Sequence, residues 1–460
     1  MLNFDYRNVD VICVDAANPD TSVLEWRKQS QLTALQDSPR ERCSHLNHGH
    51  SWTFVKRKDA ANAFERLTQA RKAIQGSWHH SDTTLTLVAD DADGLDALLS
   101  AALADIYQLP THKREADPQP QISRIELVGE LSSTLIQQRQ AEAEGNALTR
   151  FLATRPVSDV NPTSYREWLL EWAQKQGLEV IVHDYASLEK MGAGAFCAVA
   201  RGADDGEASI VELRYMGQPD SEQHTALVGK GVCMDTGGYN LKTGGYMFGM
   251  HGDMTGSAVV VGTLLSAVRQ QQAINLRGWL ALVNNHIGPK AYHANEIVTA
   301  LNGTSIEIVD TDAEGRMVLA DTLTLASREK PQQVIDYATL TGTCVSALGT
   351  RTSGAFTNQE EWTQALIDTG RVSGERVWPM PLDKDYDDDI DSDIADVQQC
   401  NPGRAPDHIN AARFLSRFIE HDTPWLHIDL SAANHKGGLA HVATEQTGFG
   451  VRFTQAWLKR

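Results

Sequence analysis

The stretch EIVDTDAEGRMVLAD (307–321) joins an apolar, strand-like run to an apolar, helix-like run through a strongly charged turn. Charged side chains occupy alternate positions of this turn, in the order Asp310, Asp312, Glu314 and Arg316. Two carboxylates held about 4 Å apart repel by roughly 4 kcal/mol at a protein-like dielectric. Something must offset that repulsion if the turn is buried, although a charged turn of this kind, taken alone, is more often solvated.

Around this turn, short strand-like and helix-like runs alternate along a chain of 460 residues. That length exceeds what one hydrophobic core usually organises, which favours two domains. The proline-containing run RPVSDVNPTS (155–164) marks the boundary between them. The patterning predicts an α/β protein, with a smaller N-terminal α/β domain over 1–155 and a larger C-terminal domain over 156–460, in which helices flank a mixed central sheet. The pair Asn302-Gly303 predicts a hairpin just before the charged turn.

The composition limits the kinds of partner. The formal net charge of -19 argues against nucleic acid or an anionic membrane as the main partner. The amino terminus shows no secretory signal, and the longest apolar run, SAVVVGTLLSAV (257–268), is too short to span a bilayer. Six cysteines occur without CxxC spacing and are expected to be reduced. We therefore expect a soluble cytoplasmic protein.

Two further stretches gather charge around glycine. The run VGKGVCMDTGGYNLK contains Lys230, Asp235 and Lys242, and the run GDMTGSA contains Asp253. Taken singly, each is weak evidence, because an aspartate ahead of a helix is more often a cap than a ligand. With the two acidic residues Asp312 and Glu314 they make four carboxylates, which balance two divalent cations and suit a two-metal site with oxygen ligands.

Seven runs carry a more specific signal, namely VGKGVCMDTGG, NLK, GDMTGSA, DTDAEGRMVLAD, DYATLTGTCVSALG, SDIADVQQ and PWLHIDLSA. Together they resemble the leucine aminopeptidase (cytosol aminopeptidase) family, over residues 155–460. DTGGYNLK and HIDLSA look most similar to the bacterial peptidase B branch of that family. The first 155 residues match the family only in size and α/β character, and are a candidate for oligomer contacts. The resemblance implies a metal-dependent aminopeptidase, which hydrolyses the first residue from peptides.

The resemblance also implies a two-metal site in the C-terminal domain. Its implied ligands are Lys230, Asp235, Asp253 and Glu314 for the tighter metal, and Asp235, Asp312 and Glu314 for the looser one. Asp235 and Glu314 would bridge the two ions. A lysine ligand must be uncharged, and two adjacent dications favour this by lowering its pKa. Zn or Mn is expected, and Mg or Co also suits such ligands.

The catalytic roles come from the same resemblance. Lys242 is expected to polarise the scissile carbonyl, and Arg316 to hold a bicarbonate ion that acts as general base on a water between the metals. Capture of the free amino group of the substrate by one metal would restrict cleavage to the first residue. The family further implies peptide substrates and a homohexamer.

Five positions match the side-chain pocket of the family: Met250, Thr339, Gly342, Ser431 and Asn434. Asn434 stands where a leucine-preferring member carries methionine, which makes the pocket more polar. One lost apolar contact in such a pocket is worth about 1–3 kcal/mol. We therefore expect broad or polar-tolerant specificity, including acidic first residues.

The chain departs from the family pattern at three places near the site, and one of them is Thr255, in DMTG, where the family commonly has glycine. Asp310 stands where the family usually has asparagine, and could hydrogen-bond an amide of the charged turn or add negative charge near the metals. The run PDHINAA (406–412) stands where the family has the small residues of AGAITAA. Asp407 and His408 thus put polar bulk near the mouth of the site.

Two other interpretations compete with a metallo-aminopeptidase. A catalytically weak family member could act as an interaction or nucleic-acid-binding protein, but the presence of every implied ligand and catalytic residue argues against it. Another two-metal hydrolase, such as a phosphoesterase, would more often use histidine ligands. The histidines His45, His48 and His50 form a separate, weaker candidate for a zinc site.

Overall fold

A computed structural model describes residues 2–6, 9–14, 42–47, 50–55, 59–79, 81–89, 91–115, 118–119, 121–203, 206–403 and 406–460. Up to residue 155 the elements are β1 (Asp10–Val14), β2 (Arg42–Asn47), β3 (His50–Val55), α1 (Ala63–Ile74), β4 (Thr84–Val88), α2 (Ala92–Ile106), β5 (Arg124–Val128) and α3 (Ser133–Thr154). They are followed by α4 (Pro162–Gln176), β6 (Glu179–Asp184), α5 (Tyr185–Met191), α6 (Gly194–Ala200), β7 (Ser209–Met216), β8 (Thr225–Asp235), α7 (Thr255–Gln270) and β9 (Asn275–Asn285).

The last third of the chain adds β10 (Ile297–Thr299), β11 (Ser305–Glu307), α8 (Glu314–Arg328), β12 (Gln333–Ala338), α9 (Gly342–Leu348), β13 (Ser353–Thr357), α10 (Trp362–Ser373), β14 (Val377–Pro379), β15 (Val397–Gln398), α11 (Asp407–Ser416), β16 (Trp425–Asp429) and α12 (Val451–Trp457). Short 3-10 helices form at Met250–Gly252 and Lys384–Ile390.

The largest sheet has eight strands in the order β14-β13-β16-β12-β8-β9-β7-β6. Its centre, β16-β12-β8-β9, is parallel, whereas β13, β7 and β6 join through antiparallel pairs. Alternate side chains of β8 enter different cores: Leu227 packs with the α7 side, and Val228 with the α8 side. Helices therefore cover both faces of a mixed sheet, which confirms the predicted fold class.

Smaller sheets occupy the rest of the described chain. Strands β1, β5 and β4 form a parallel sheet, and β10 pairs with β11 around Gly303, whose positive φ of 90° suits a tight turn. The predicted Asn302-Gly303 hairpin is confirmed. His45 and His50 lie on the paired strands β2 and β3, while His48 and the histidine side chains lie outside the described parts. The zinc hypothesis there stays a prediction.

Helix α3 connects the first part of the chain to the large sheet. Thr149 Oγ1 donates to the Ala258 carbonyl of α7 at 3.1 Å, and a Cβ on Gly145 would come within 2.3 Å of the Gly262 carbonyl oxygen. The two helices are therefore in backbone contact, although α3 precedes residue 155. The division into domains at that residue stays a prediction. Among the described helices, none is both long and apolar enough to cross a membrane.

Candidate metal centre

The predicted site residues lie along the carboxyl edge of the parallel strands. Strand β8 carries Lys230 at its centre and ends at Asp235, and the neighbouring β9 ends at Asn285. Helix α8 begins at Glu314, and Asp253 lies two residues ahead of α7. Because the carboxyl ends of parallel strands meet at one edge, segments far apart in the sequence converge there.

Lys230 is buried between two acidic side chains. Its Nζ lies 2.7 Å from Asp253 Oδ2 and 2.8 Å from Glu314 Oε1, and donates to the Thr339 carbonyl at 3.3 Å. Burial lowers the pKa of Lys230, but attraction to the two carboxylates outweighs it and raises that pKa above its ordinary value. A Cβ on Gly315 would lie 2.7 Å from this Nζ, so only glycine lets the ammonium group pack against the start of α8.

Lys242 makes a second bridge nearer the solvent. Its Nζ lies 2.8 Å from Asp235 Oδ2 and 2.7 Å from Asp312 Oδ1, and 14% of its side chain is exposed. Asp235, Asp312 and Glu314 each offer an oxygen, and these oxygens all lie within 4.8 Å of one another. The structure thus brings together all five predicted metal ligands and Lys242 in one cluster, which we call the acidic centre.

The acidic centre holds more negative than positive charge. Four carboxylates face two ammonium groups, so the charge of the carboxylates exceeds that of the lysines by two. Burial raises the pKa of Asp312 to about 6, and it also raises the pKa values of Asp253 and Glu314. Asp253 Oδ2 and Asp312 Oδ1 each face one lysine ammonium group at 2.7 Å, and each of those ammonium groups is shared with a second carboxylate. Hard divalent cations prefer such oxygen donors, so the four carboxylates fit the implied metals. Lys230 carries its proton in this arrangement and would have to lose it to bind a metal.

Asn285 holds two parts of the acidic centre together, and sequence reasoning missed it. Its Nδ2 donates to Asp235 Oδ1 at 2.8 Å and to the Thr311 carbonyl at 3.0 Å. Tyr292 OH donates to the same carbonyl at 2.8 Å. The one available signal was an amide side chain at the end of the apolar strand GWLALVNN, which is too common to identify a site.

Gln399 lies in SDIADVQQ, one of the runs that carry the family resemblance, but sequence reasoning assigned it no role. Its Oε1 accepts from the backbone amides of Val309 and Asp310, each at 3.1 Å, and its Nε2 donates to the Ala313 carbonyl at 3.0 Å. Within the same turn, Asp310 Oδ1 accepts from the Asp312 amide at 2.9 Å. Both alternatives for Asp310 are therefore seen: it bonds an amide of the charged turn, and its negative charge contributes to the raised pKa of Asp312.

Arg316 is buried, and its guanidinium already has a protein carboxylate beside it. Nη2 donates to Asp407 Oδ1 at 2.7 Å, and Nη1 donates to the Gln399 carbonyl at 3.1 Å. Nε finds no acceptor among the residues that the structure describes. Asp407, the first residue of α11, is one of the departures seen in the sequence. Arg316 is therefore ion-paired within the chain.

The predicted pocket residues differ in how they relate to the acidic centre. Thr339 Oγ1 donates to Asp253 Oδ1 at 2.7 Å, so Thr339 contacts a predicted ligand directly. Ser431 is buried and donates to the Thr352 carbonyl at 2.7 Å. The remaining three are half-buried or exposed: Met250, Gly342 and Asn434. The pocket as a whole stays a prediction.

Fold and site together define an α/β protein with a candidate divalent-metal centre built from carboxylates and lysines. The family pattern described as "Cytosol aminopeptidase family, catalytic domain" matches residues 147–454. A "Probable cytosol aminopeptidase" of Parasynechococcus marenigrum (strain WH8102) is 36% identical over 427 residues, covering 90% of this chain and 87% of that relative. One of Syntrophotalea carbinolica is 42% identical over 309 residues, covering 67% of this chain and 62% of that relative.

A solved structure shares the fold along nearly the whole chain. It is described as "Bottromycin maturation enzyme BotP in complex with Mn", covers 99% of each chain, and has a TM-score of 0.82 at 29% sequence identity. The chain belongs to the cytosol aminopeptidase family. That membership makes it a metal-dependent peptide hydrolase of the aminopeptidase class. The likeness to the peptidase B branch stays a prediction.

Proposed function

We propose that the chain is a dinuclear metallo-aminopeptidase, which releases N-terminal amino acids from peptides. The observation that carries the proposal is the acidic centre itself, in which Asp235, Asp312 and Glu314 place oxygens within 4.8 Å of one another. Lys230 and Asp253 complete the proposed ligand set. Zn or Mn is the proposed metal, with Mg or Co as further options, and the manganese named for the BotP structure supports Mn.

The residues of the acidic centre would have distinct tasks. When bound, two divalent ions would lower the pKa of a water between them and polarise a peptide carbonyl. Asn285 and Thr339 hold the carboxylates of Asp235 and Asp253 in place by hydrogen bonds. Lys242 is the ammonium group nearest the solvent side, so we assign it to the carbonyl oxygen that gains negative charge as the peptide bond is attacked.

The bicarbonate implied for Arg316 fits the structure less well than the metals do. Nη1 of the guanidinium binds the Gln399 carbonyl and Nη2 binds Asp407 Oδ1. A second anion beside Asp407 would meet a like charge at short range. For this reason, no catalytic step is assigned to bicarbonate.

For specificity, we propose tolerance of polar and acidic first residues, since Asn434 is polar and exposed. For assembly, the family resemblance supports a homohexamer, whose mass would be six times 50.5 kDa, about 303 kDa. Light scattering on the purified protein tests that mass. A cytoplasmic location is proposed on the same resemblance.

The test of function is hydrolysis of a panel of aminoacyl anilides by protein stripped with a chelator and then reloaded with Mn or Zn. We expect turnover to disappear on stripping and return on reloading. An N-acetylated leucyl anilide is the matched substrate control, and it should not be cleaved, since an aminopeptidase needs the free amine. No turnover on any anilide after metal loading would contradict the proposed function, and a strict preference for leucine would contradict the proposed specificity.

A second test separates metal binding from catalysis. Lys242→Ala should keep the metal content of the wild type but lower kcat by roughly 10²–10³-fold, the usual cost of removing one transition-state donor. Metal content is measured by mass spectrometry of the desalted protein. Unchanged kcat in this variant would remove Lys242 from the mechanism.

A further inference from the structure

Asp407 occupies a position that neither the metal centre nor the proposed mechanism uses. It begins helix α11, and its carboxylate lies 2.7 Å from Nη2 of the buried Arg316. The Asp407 side chain is 23% exposed, whereas that of Arg316 is 2% exposed. The partly exposed aspartate therefore neutralises a guanidinium that is otherwise closed off from water.

The hydrogen bonds of Arg316 show why this carboxylate matters. A guanidinium has five N–H groups in a fixed fork, and in this chain a backbone carbonyl and one carboxylate take its two Nη ends. A buried cation without an anionic partner is strongly disfavoured, so Asp407 supplies what an external small anion would otherwise have to supply. An external anion that bound Nη2 would compete with Asp407 for that end of the guanidinium, and of the N–H groups Nε is the one whose nitrogen has no acceptor among the described residues.

We propose that Asp407 is the resident anionic partner of Arg316, so that this chain works without bound bicarbonate. In this role Asp407 is a positioning residue: it fixes the orientation of Arg316, two residues after the proposed ligand Glu314. Removing its carboxylate should leave a buried guanidinium able to take a small carboxylate-like anion, such as bicarbonate or formate. The inference rests on the proposed function only for the expected change in kcat/KM.

The experiment compares wild type, Asp407→Ala and Asp407→Asn in carbonate-free buffer, with and without millimolar sodium bicarbonate or formate. Sodium chloride at equal ionic strength is the salt control. Asp387→Ala is the matched variant, because Asp387 forms a bidentate pair at 2.8 and 2.7 Å with Arg413 of the same helix α11. Thermal unfolding and kcat/KM are both measured.

Wild type and Asp387→Ala should change less than about twofold in kcat/KM when bicarbonate is removed, and their Tm should not respond to either anion. Asp407→Ala should lower kcat/KM by roughly 10- to 100-fold, the usual effect of disturbing the support of a metal ligand, because Arg316 lies in the same helical turn as the proposed ligand Glu314. Bicarbonate or formate should restore part of that loss and raise the Tm of this variant by about 2 °C or more through binding to the native state. Asp407→Asn should behave likewise, with a smaller Tm response.

Two results would overturn the proposal. One is a wild-type enzyme whose Tm or activity depends on bicarbonate, and the other is an Asp407→Ala variant whose Tm ignores both anions. The Tm measurements need no turnover, so they decide the proposal even if the protein cleaves no anilide. Failure of the aminopeptidase proposal and failure of this one are thereby distinguished.

Discussion

Helix α8 carries two buried carboxylates with opposite surroundings. Glu314, its first residue, lies 2.8 Å from Lys230 and belongs to the acidic centre. Asp321, two turns later, accepts backbone amides at both of its oxygens: from Leu301 at Oδ1 and from Phe196 at Oδ2, each at 2.8 Å. Both side chains are almost fully buried, so burial alone does not separate them.

The difference lies in what balances the charge. Fixed amide dipoles satisfy both oxygens of Asp321 and tie α8 to the start of α6 and the turn after β10. Glu314 shares its one ammonium partner with Asp253 and lies beside Asp235, so its surroundings remain short of positive charge. A buried carboxylate that the fold satisfies is structural, whereas a cluster left with surplus charge is suited to bind cations.

The largest expected effect is a loss of activity when Glu314, but not Asp321, is substituted. Glu314→Gln should lower kcat/KM by roughly 10³-fold, about 4 kcal/mol of transition-state stabilisation, because it removes a proposed bridging ligand. In the metal-free protein its free energy of unfolding should stay the same or rise, since one surplus negative charge is gone, whereas the stabilisation by added metal should shrink. Kinetics, metal content and chemical denaturation are measured together. If the Glu314→Gln variant kept wild-type activity and full metal content, Glu314 would not be a metal ligand and its contrast with Asp321 would be wrong.

The next effect concerns stability. Asp321→Ala should lower the free energy of unfolding by roughly 2–6 kcal/mol, because two buried amides each lose their acceptor at about 1–3 kcal/mol. The kcat of the folded protein should be unchanged, as should its metal content. Urea denaturation measures the free energy of unfolding, and activity assays at low temperature measure kcat. A variant as stable as wild type would show that Leu301 and Phe196 find other acceptors.

A smaller effect appears in the pH dependence of stability. Burial raises the pKa of Asp321 to about 7, and the bonds from the Leu301 and Phe196 amides lower it only in part. The folded state therefore holds the proton more tightly than the unfolded state, whose carboxyl titrates near its ordinary value. This contribution to stability is full below about pH 4 and is lost as the pH rises through about 7.

The direction of this pH dependence can be checked by comparing the stability of wild type with that of Asp321→Ala between about pH 4 and 7. Between about pH 5 and 7 the wild type should lose up to about 1.4 kcal/mol per pH unit relative to the variant, the limit for one proton. Denaturant titrations at several pH values measure this difference. A wild type that gains stability relative to the variant as the pH rises would reverse the assignment of the pKa shift.

The smallest effect concerns Asp310. Asp310→Asn should change the free energy of unfolding by less than about 0.5 kcal/mol and kcat/KM by less than about twofold, because an amide oxygen can accept the same bond from the Asp312 amide. Asp310→Ala, which cannot, should cost about 1 kcal/mol. Equal loss of activity in both variants would show that the negative charge, and not the hydrogen bond, is what matters.

Much of the site was predictable because it lies in local patterns. The charged turn, the Asn302-Gly303 hairpin and the mixed sheet follow from short-range alternation of apolar and polar residues. Such patterns could not predict the contacts made by Asn285, by Gln399 and by the Arg316–Asp407 pair. These contacts join segments that lie 26 to 91 residues apart in the sequence. A single polar residue at a strand end or helix start carries no signal of such a partner.

The sequence by itself determined the class of the protein and the list of charged residues, because both rest on short motifs that resemble the cytosol aminopeptidase family. The tertiary structure alone decided which of those charges remain unbalanced. Glu314 and Asp321 look alike in EIVDTDAEGRMVLAD, yet one is left among surplus carboxylates and the other is satisfied by amides. The physical reason is that the energy of a buried charge depends on the partners that the fold brings within a few ångströms.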